Sequence, residues 1–323
     1  MSKLVVTSTS PSLSQAVRFR QKHAVSSTDS SVCAIVVAYF PDGGFNDRIQ
    51  KLLPQVTHLV IIDNTPEKDR TPSLSESHHK STQIHVIENS VNRGISVALN
   101  QGLKHALEKG DKWILTLDQD THCFPDMVKT LLEASESCEP TPMIVGGNYL
   151  DLRNGRPAFP TGSADGFLEQ VTVITSGCLV NASFAATIGG FREDYFIDQV
   201  DHEFCLRTRS HGQKIIISRK PVMSHSVGDV GGVRLPLLGV MPNHPPLRKY
   251  YIARNTLVTL VDYWHREPEW CVRRLMRLLL GLLFMALLEK QRFSKICAFA
   301  GGISDALRRR MGVCARERIH RSS

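Results

Sequence analysis

The sequence predicts an α/β domain built on a mostly parallel sheet, followed by a helical extension rich in basic residues. Three observations predict it. Short uncharged apolar runs recur along the first half of the chain, as in strands buried on both faces. Helical patterns fall between them, the alternation that builds parallel sheets. From Leu247 to roughly Arg310 the apolar spacing is helical throughout. The chain has 323 residues, 42% hydrophobic and 22% charged. That balance excludes collagen-like, wholly disordered and multi-spanning membrane classes.

Residues 1–31 are rich in Ser and Thr, lack the apolar core of a secretory signal and read as disordered. The first strand is the run Val32 to Tyr39, stopped by Pro41-Asp42-Gly43-Gly44. A second, His58 to Ile62, runs into Asp63-Asn64, and the Pro- and Ser-rich stretch from Thr65 to Ser81 is a loop. Ile84 to Ile87 is a third strand, and Ile95 to Leu107 a helix closed by Gly110. Trp113 to Leu117 is a buried strand ending on Asp118-Gln119-Asp120, and Pro125 to Ala134 a helix with Pro at its start. Beyond Gly147, Thr175-Ser176-Gly177-Cys178 precedes a short helix that Asn181 caps and Gly189-Gly190 ends. Val200 to His211 is a helix with acids at its start, where the dipole favours them. Lys214 to Ser218 is a strand, His225 ends a short extended piece, and Gly228 to Gly239 reads as a mobile Gly-rich loop.

The formal charge is +8, and its location says more than its size. From Pro246 onward 16 Lys/Arg face 6 Asp/Glu, so the body is near neutral and the tail strongly basic. A basic tail points to an anionic surface, membrane or nucleic acid. Within it, Leu278 to Leu288 is free of charge and flanked by Arg273, Arg274, Arg277 and Lys290. A spanning helix needs about 20 apolar residues, so this one is either an interfacial helix on anionic lipid or a core helix. The Arg308-Arg309-Arg310 cluster has no aromatic stacking platform, and no nucleic-acid partner is expected. The eight cysteines form no C-x-x-C pair and read as reduced, buried thiols.

Ligands on open parallel sheets sit at the carboxyl ends of the strands, where Asp63, Asn64, Asp118 and Asp120 all fall. Two carboxylates one residue apart on a turn suit a hard divalent cation that also holds phosphate oxygens; a solvated turn is the competing explanation. Asp63-Asn64 suits a ribose hydroxyl or base edge, or an Asx-turn. Asn92-Arg93-Gly94, with Asn100 and Gly102, opens and lines a helix, which makes an anion site or a simple cap. No G-x-G-x-x-G follows the first strand, against a dinucleotide-binding domain. Asp198, Asp201 and Glu203 crowd beside Phe196 and Ile197, and a partly desolvated carboxylate is a better general base than an exposed one. Surface acids at a helix start are the alternative. His225 completes a metal shell or serves the structure.

In this order, Val60-Ile61-Ile62-Asp63-Asn64, Asn92-Arg93-Gly94, Asn100-Gln101-Gly102, Leu117-Asp118-Gln119-Asp120, Ser176-Gly177-Cys178, Gly189-Gly190-Phe191 and Asp201-His202-Glu203-Phe204-Cys205-Leu206-Arg207 resemble the nucleotide-sugar glycosyltransferases of family 2, with the GT-A fold. The resemblance runs from about Cys33 to Val261. The basic, Leu-rich composition of 246–323 points to a membrane-associated helical region, and the resemblance implies a GT-A domain over 32–245. It implies that Asp63 binds the nucleoside, that Asp120 holds Mg²⁺ or Mn²⁺ on the diphosphate with Asp118 and His225, and that Asp201 is the base. Where many members carry Glu before the base, Val200 stands here, so Asp198 and Asp201 both remain candidates. Asn64, Asn92, Arg93, Gly94, Asn100, Asp118, Arg254 and Asn255 complete the implied donor site.

Phe196-Ile197-Asp198, Tyr250-Tyr251-Ile252-Ala253-Arg254-Asn255 and Asn243-His244-Pro245-Pro246-Leu247-Arg248 look like the rhamnosyltransferase branch, closest to those that add a second sugar in rhamnolipid synthesis. The resemblance thus implies an inverting enzyme using dTDP-L-rhamnose and a glycolipid (monorhamnolipid) acceptor. It would be cytoplasmic and peripheral on the anionic inner face of the cell membrane. A polysaccharide rhamnosyltransferase shares much of this pattern, and a non-catalytic sugar-nucleotide-binding protein is the rival from another class.

Overall fold

The computed structural model describes residues 31–70, 74, 81–163, 165–225, 233–235, 239–241 and 243–314. The N-terminal segment expected to be disordered, and most of the Gly-rich stretch, lie outside the described residues. Four strands follow the predicted parallel pattern: β1 (Val32–Ala38), β2 (His58–Asp63), β3 (Ile84–Glu88) and β4 (Trp113–Asp118), in the order β3-β2-β1-β4. The side chains of β1, β2 and β4 are buried nearly throughout, because helices cover both faces, whereas β3 at the edge is only half-buried. The registers set Asp63 opposite Ala38 and Asp118 opposite Val37, so both acids reach the same edge of the sheet.

Past β4 the sheet departs from the mostly parallel expectation and becomes mixed. After the short β5 (His122–Cys123) come β6 (Ile144–Asp151), β7 (Arg156–Pro157), β8 (Phe167–Glu169), β9 (Cys178–Asn181) and β10 (Ile215–His225). β9 lies antiparallel between β4 and β6, whereas β6 and β10 run parallel. An apolar run shows that a strand is buried and not which way it points, which is why β9's direction was invisible. β10 extends well past the expected Ser218, because register shifts around Pro221 absorb the proline without ending the strand. Its last residues pair antiparallel with β5, Ser224 opposite His122. This pairing carries His225 to the turn after β4.

The helices α1 (Phe45–Leu52) and α3 (Met127–Glu136) pack on Ala34, Val36, Leu59 and Ile61. The opposite face, with Cys33, Ile35, Val60 and Ile62, is covered by α2 (Ile95–Lys109), α4 (Ala182–Thr187) and α5 (Val200–Ser210). Alternate side chains of one strand thus serve two cores. Gly110 closes α2 at φ 75°, and Asn181 caps α4 by accepting the Phe184 N–H at 2.9 Å, both as read from sequence. The helix expected from Pro125 starts at Met127, Pro125 lying in the turn before it. Six of the eight free cysteines are buried; Cys123 is half-buried and Cys297 exposed.

The basic tail forms α6 (Pro246–Tyr263), α7 (Pro268–Leu288) and α8 (Arg292–Leu307). Residues from Ser31 onward form one compact unit, and buried contacts cross the expected boundary at 245/246. Leu206 of α5 packs with Leu260, Tyr263, Trp270 and Cys271. Among the described residues no helix is long and apolar enough to cross a membrane. α6 and α8 cross so closely that a Cβ on Gly302 would lie 2.3 Å from the Tyr250 carbonyl oxygen. Helix propensity alone predicts that Gly302→Ala gains about 1 kcal/mol. The backbone contact predicts the opposite, a net loss of about 1–3 kcal/mol, read as a lower urea midpoint.

Candidate active site

The strand-end acids and the start of α5 converge on one cleft. Asp118 ends β4, and the backbone N–H of Asp118 donates to Ser176 Oγ at 3.1 Å. Ser176 is in turn 2.5 Å from Thr121 Oγ1. Between the two acids, Gln119 turns away to exchange hydrogen bonds with the Tyr39 backbone at 2.7 and 3.1 Å, which anchors the turn on the end of β1. His225 faces both carboxylates: Nε2 lies 3.8 Å from Asp118 Oδ2 and Nδ1 3.9 Å from Asp120 Oδ1. One ligand atom of each residue lies within 4.8 Å of the other two. The ring is buried, and among the described residues its Nδ1 has no hydrogen-bond partner.

Two carboxylates and an imidazole nitrogen around one point fit a divalent cation, with Asp118, Asp120 and His225 as ligands. Desolvation in the cleft pushes the Asp118 carboxyl up to about 6, with help from Asp120 and Asp201 and against His225 and Arg248. Asp201, in the first turn of α5, acts electrostatically on the Asp118 carboxyl and raises it.

Asp198 and Asp201 differ in their surroundings. The Arg248 guanidinium reaches both oxygens of Asp198 at 3.3 Å. Burial nevertheless raises the Asp198 carboxyl, opposed by Arg248 and reinforced by Asp201. Asp201 accepts the His202 N–H at 2.8 Å and, among the described residues, has no cation within ion-pair distance. Burial lowers the neighbouring His202 to about 4, so this imidazole is neutral at pH 7. Glu203, grouped with these acids in the sequence, is not in the cleft: it is buried and holds Arg207 at 3.0 Å and the Tyr263 hydroxyl at 2.9 Å.

Asp63 and Asn64 close the other side of the sheet edge. Asp63 accepts the Thr65 N–H at 2.8 Å and pairs with Arg70 at 3.1 Å, while Asn64 donates to the Gly94 carbonyl at 3.1 Å and accepts from Asn89 at 2.8 Å. Arg70, which the sequence reading passed over, thereby braces the pocket floor. Asn92 accepts the Gly94 N–H, and Arg93 is exposed. Gly94 has φ 86°, and a Cβ there would meet the Phe196 carbonyl oxygen at 2.6 Å. Glycine here serves the packing of α2 against the Phe196 turn.

Three residues expected to touch the donor are instead framework. Asn100 spends its amide on the Phe191 backbone, at 2.7 and 2.8 Å, and on Glu193. Arg254 and Asn255 are fully buried in α6. Asn255 donates to the carbonyls of Tyr195, Ile197 and Asp198 at 2.8–3.0 Å, and Arg254 to those of Gly312, Asp194 and Tyr195. Rings of Tyr250 and Tyr251 flank the Arg254 guanidinium at 5.4 and 5.0 Å. Together they hold the turn 196–199, in which Phe196, Asp198 and Gln199 all have φ near +60°. Such conformations cost about 1–3 kcal/mol each and persist only when neighbours impose them. No local motif marks this role, because the partners are main-chain carbonyls some 60 residues away.

The sequence reading also missed Arg248 and Arg274 as site residues. Arg274 interacts with Asp201 and Asp198, and with Arg277 it acts on His202. Arg274 had been read, with Arg273, Arg277 and Lys290, as a flank of the apolar stretch Leu278 to Leu288.

The fold is that of the GT-A glycosyltransferases. A structure of S. aureus TarS residues 1–349 superposes with a TM-score of 0.57 at 14% identity, covering 85% of this chain and 80% of that one. Its complex with UDP-GlcNAc gives 0.56 at 16% identity, covering 85% and 81%. The profile of glycosyl transferase family 2 matches residues 33–161, from β1 to just beyond β7 and including Asp63, Asp118 and Asp120. The dTDP-rhamnosyl transferase RfbF of Shigella flexneri is 28% identical over 254 residues, 72% of this chain and 80% of that protein.

Two outcomes are expected. Because a cation must displace the proton that Asp118 takes up below about pH 6, Mn²⁺ affinity measured by calorimetry weakens by about tenfold between pH 7 and pH 5. Replacing Asn255 with Leu strips the donor from three carbonyls. It costs about 1–3 kcal/mol in chemical denaturation.

Proposed function

We propose that this chain is an inverting rhamnosyltransferase that moves L-rhamnose from dTDP-L-rhamnose to a hydroxyl of a monorhamnosyl lipid, giving a dirhamnolipid. The observation that carries the reading is the joint placement of Asp118, Asp120 and His225 as a cation site with Asp201 beside it. The similarity to a dTDP-rhamnosyl transferase supports the donor. The nucleoside lies over the Asp63–Asn64 end of β2, with Asn92 and Arg93 at its flank. When bound, Mg²⁺ or Mn²⁺ supplies charge neutralisation for the departing nucleoside diphosphate.

Asp201 is the base. Among the described residues no guanidinium lies within ion-pair distance of its carboxylate, whereas both oxygens of Asp198 are engaged by Arg248. Asp201 accepts the proton of the acceptor hydroxyl as the hydroxyl oxygen attacks the anomeric carbon from the face opposite the diphosphate. The anomeric C–O bond to phosphate breaks, dTDP leaves and the centre inverts. Asp198 and Arg248 fix the turn from which Asp201 projects.

An exposed apolar stripe on α7, with Leu279, Leu283 and Leu287 each at least half exposed, supports peripheral attachment to an anionic membrane, with the flanking Arg273 and Lys290 toward lipid head groups. A lipid-linked saccharide of cell-surface polysaccharide assembly meets the same requirements of site and surface, and the transfer assay separates the two acceptors.

With dTDP-L-rhamnose and monorhamnosyl lipid, mass spectrometry is expected to show a dirhamnosyl product that disappears on adding EDTA. Asp201→Asn should lower kcat by about 10²–10⁴-fold and leave donor binding by calorimetry intact. Product formation undiminished in that variant would remove Asp201 from the role of base.

A further inference from the structure

A second cavity lies beside the carboxylate cleft, between α6, α7 and α8, with a volume of about 240 Å³. It is smaller than the roughly 300–1,000 Å³ of drug-sized sites, so it suits a head group and the start of a chain rather than a nucleotide sugar. Its walls are apolar in the middle, from Leu278, Met285 and Phe299. Its ends are cationic.

At one end Glu289 accepts from both Lys249 and Lys295, each at 2.6 Å. Two buried ammonium groups thus share one carboxylate, which leaves a net positive charge at the cavity floor. At the other end stand Arg274 and Arg277. Among the described residues neither has a carboxylate within ion-pair distance, although Arg274 senses Asp201 and Asp198. Arg274 is half-buried and Arg277 exposed at the mouth, whereas Lys249 and Lys295 are buried, and buried unbalanced positive charge is costly unless an anion completes it. Thr256, also lining the cavity, is fully buried, and among the described residues its hydroxyl has no hydrogen-bond partner. Gly281 lines the wall, and a Cβ there would meet no atom within 4 Å.

The geometry points to this cavity as the acceptor subsite, built for an anionic amphiphile whose negative group sits between Arg274 and Arg277 and whose apolar chain leaves over the exposed leucines of α7. The inference rests on the transferase reading above and adds what that reading lacks, a place and a chemistry for the acceptor. Arg274 joins this subsite to Asp201, so an anion held there brings its neighbouring sugar hydroxyl to the base. A glycolipid carboxylate and a lipid-linked diphosphate share the required chemistry.

The test uses the full-length protein without donor, titrated calorimetrically with dodecyl phosphate or neutral dodecyl maltoside below their micellar concentrations. Saturable binding of the phosphate is expected, with the maltoside about tenfold weaker or more for want of charge-assisted hydrogen bonds. Arg277→Gln should weaken the phosphate about tenfold. Gly281→Leu should abolish it by filling the cavity while leaving Tm equal or higher, since leucine favours helix over glycine; dTDP binding should not change in either variant. Unsaturable phosphate binding, or binding indifferent to Gly281→Leu, would overturn the inference. Competition by monorhamnosyl lipid against farnesyl diphosphate then shows which anion the site prefers. Loss of dTDP binding and of transfer to every acceptor would sink the transferase reading alone, because the dodecyl phosphate titration decides the cavity without it.

Discussion

Concentrated negative charge is the constraint around which this molecule is built. Asp118, Asp120, Asp198 and Asp201 influence one another within a single cleft. Two carboxylates 4–5 Å apart repel by between roughly 1 kcal/mol in water and 4 kcal/mol near a protein surface. Asp120 is largely exposed, whereas burial, with Asp120 and Asp201 adding to it, raises the Asp118 carboxyl to about 6. The chain answers with Arg248 on Asp198, with Arg274 near both later acids, and with the imidazole of His225 against the first pair. What remains uncompensated is the space among Asp118, Asp120 and His225, which is where a divalent cation fits.

Holding those charges in place falls to residues far from them in sequence. The turn 196–199 adopts three left-handed conformations in non-glycine residues, a state that local preferences oppose. Asn255 and Arg254 impose it from α6 through main-chain carbonyls, and Gly94 lets α2 approach the same turn from the other side. The C-terminal helices are therefore part of the site's architecture and not an appendage to it. Helix α7 carries both roles at once: Arg274 and Arg277 line the cavity, while a stripe of leucines stays exposed.

Much of this was legible in the amino-acid sequence. The strands β1 to β4, the helix between β3 and β4, the caps at Asn181 and Gly110, and the acids at the strand ends follow from apolar runs, turn residues and capping chemistry, all of which act over a few residues. Local signals also fix that Asp63 and Asp118 share an edge, because parallel strands with buried faces end on the same side. Position along the chain could not say what an amide or guanidinium is used for. Asn100, Arg254 and Asn255 look like ligand-binding groups by residue type, and only packing shows their polar atoms spent on backbone. The direction of β9, the passage of β10 through Pro221 to deliver His225, the pairing of Arg70 with Asp63 and the inward turn of Arg274 were likewise decided by tertiary structure. Each depends on which distant surfaces come together, and neither periodicity nor charge count carries that information.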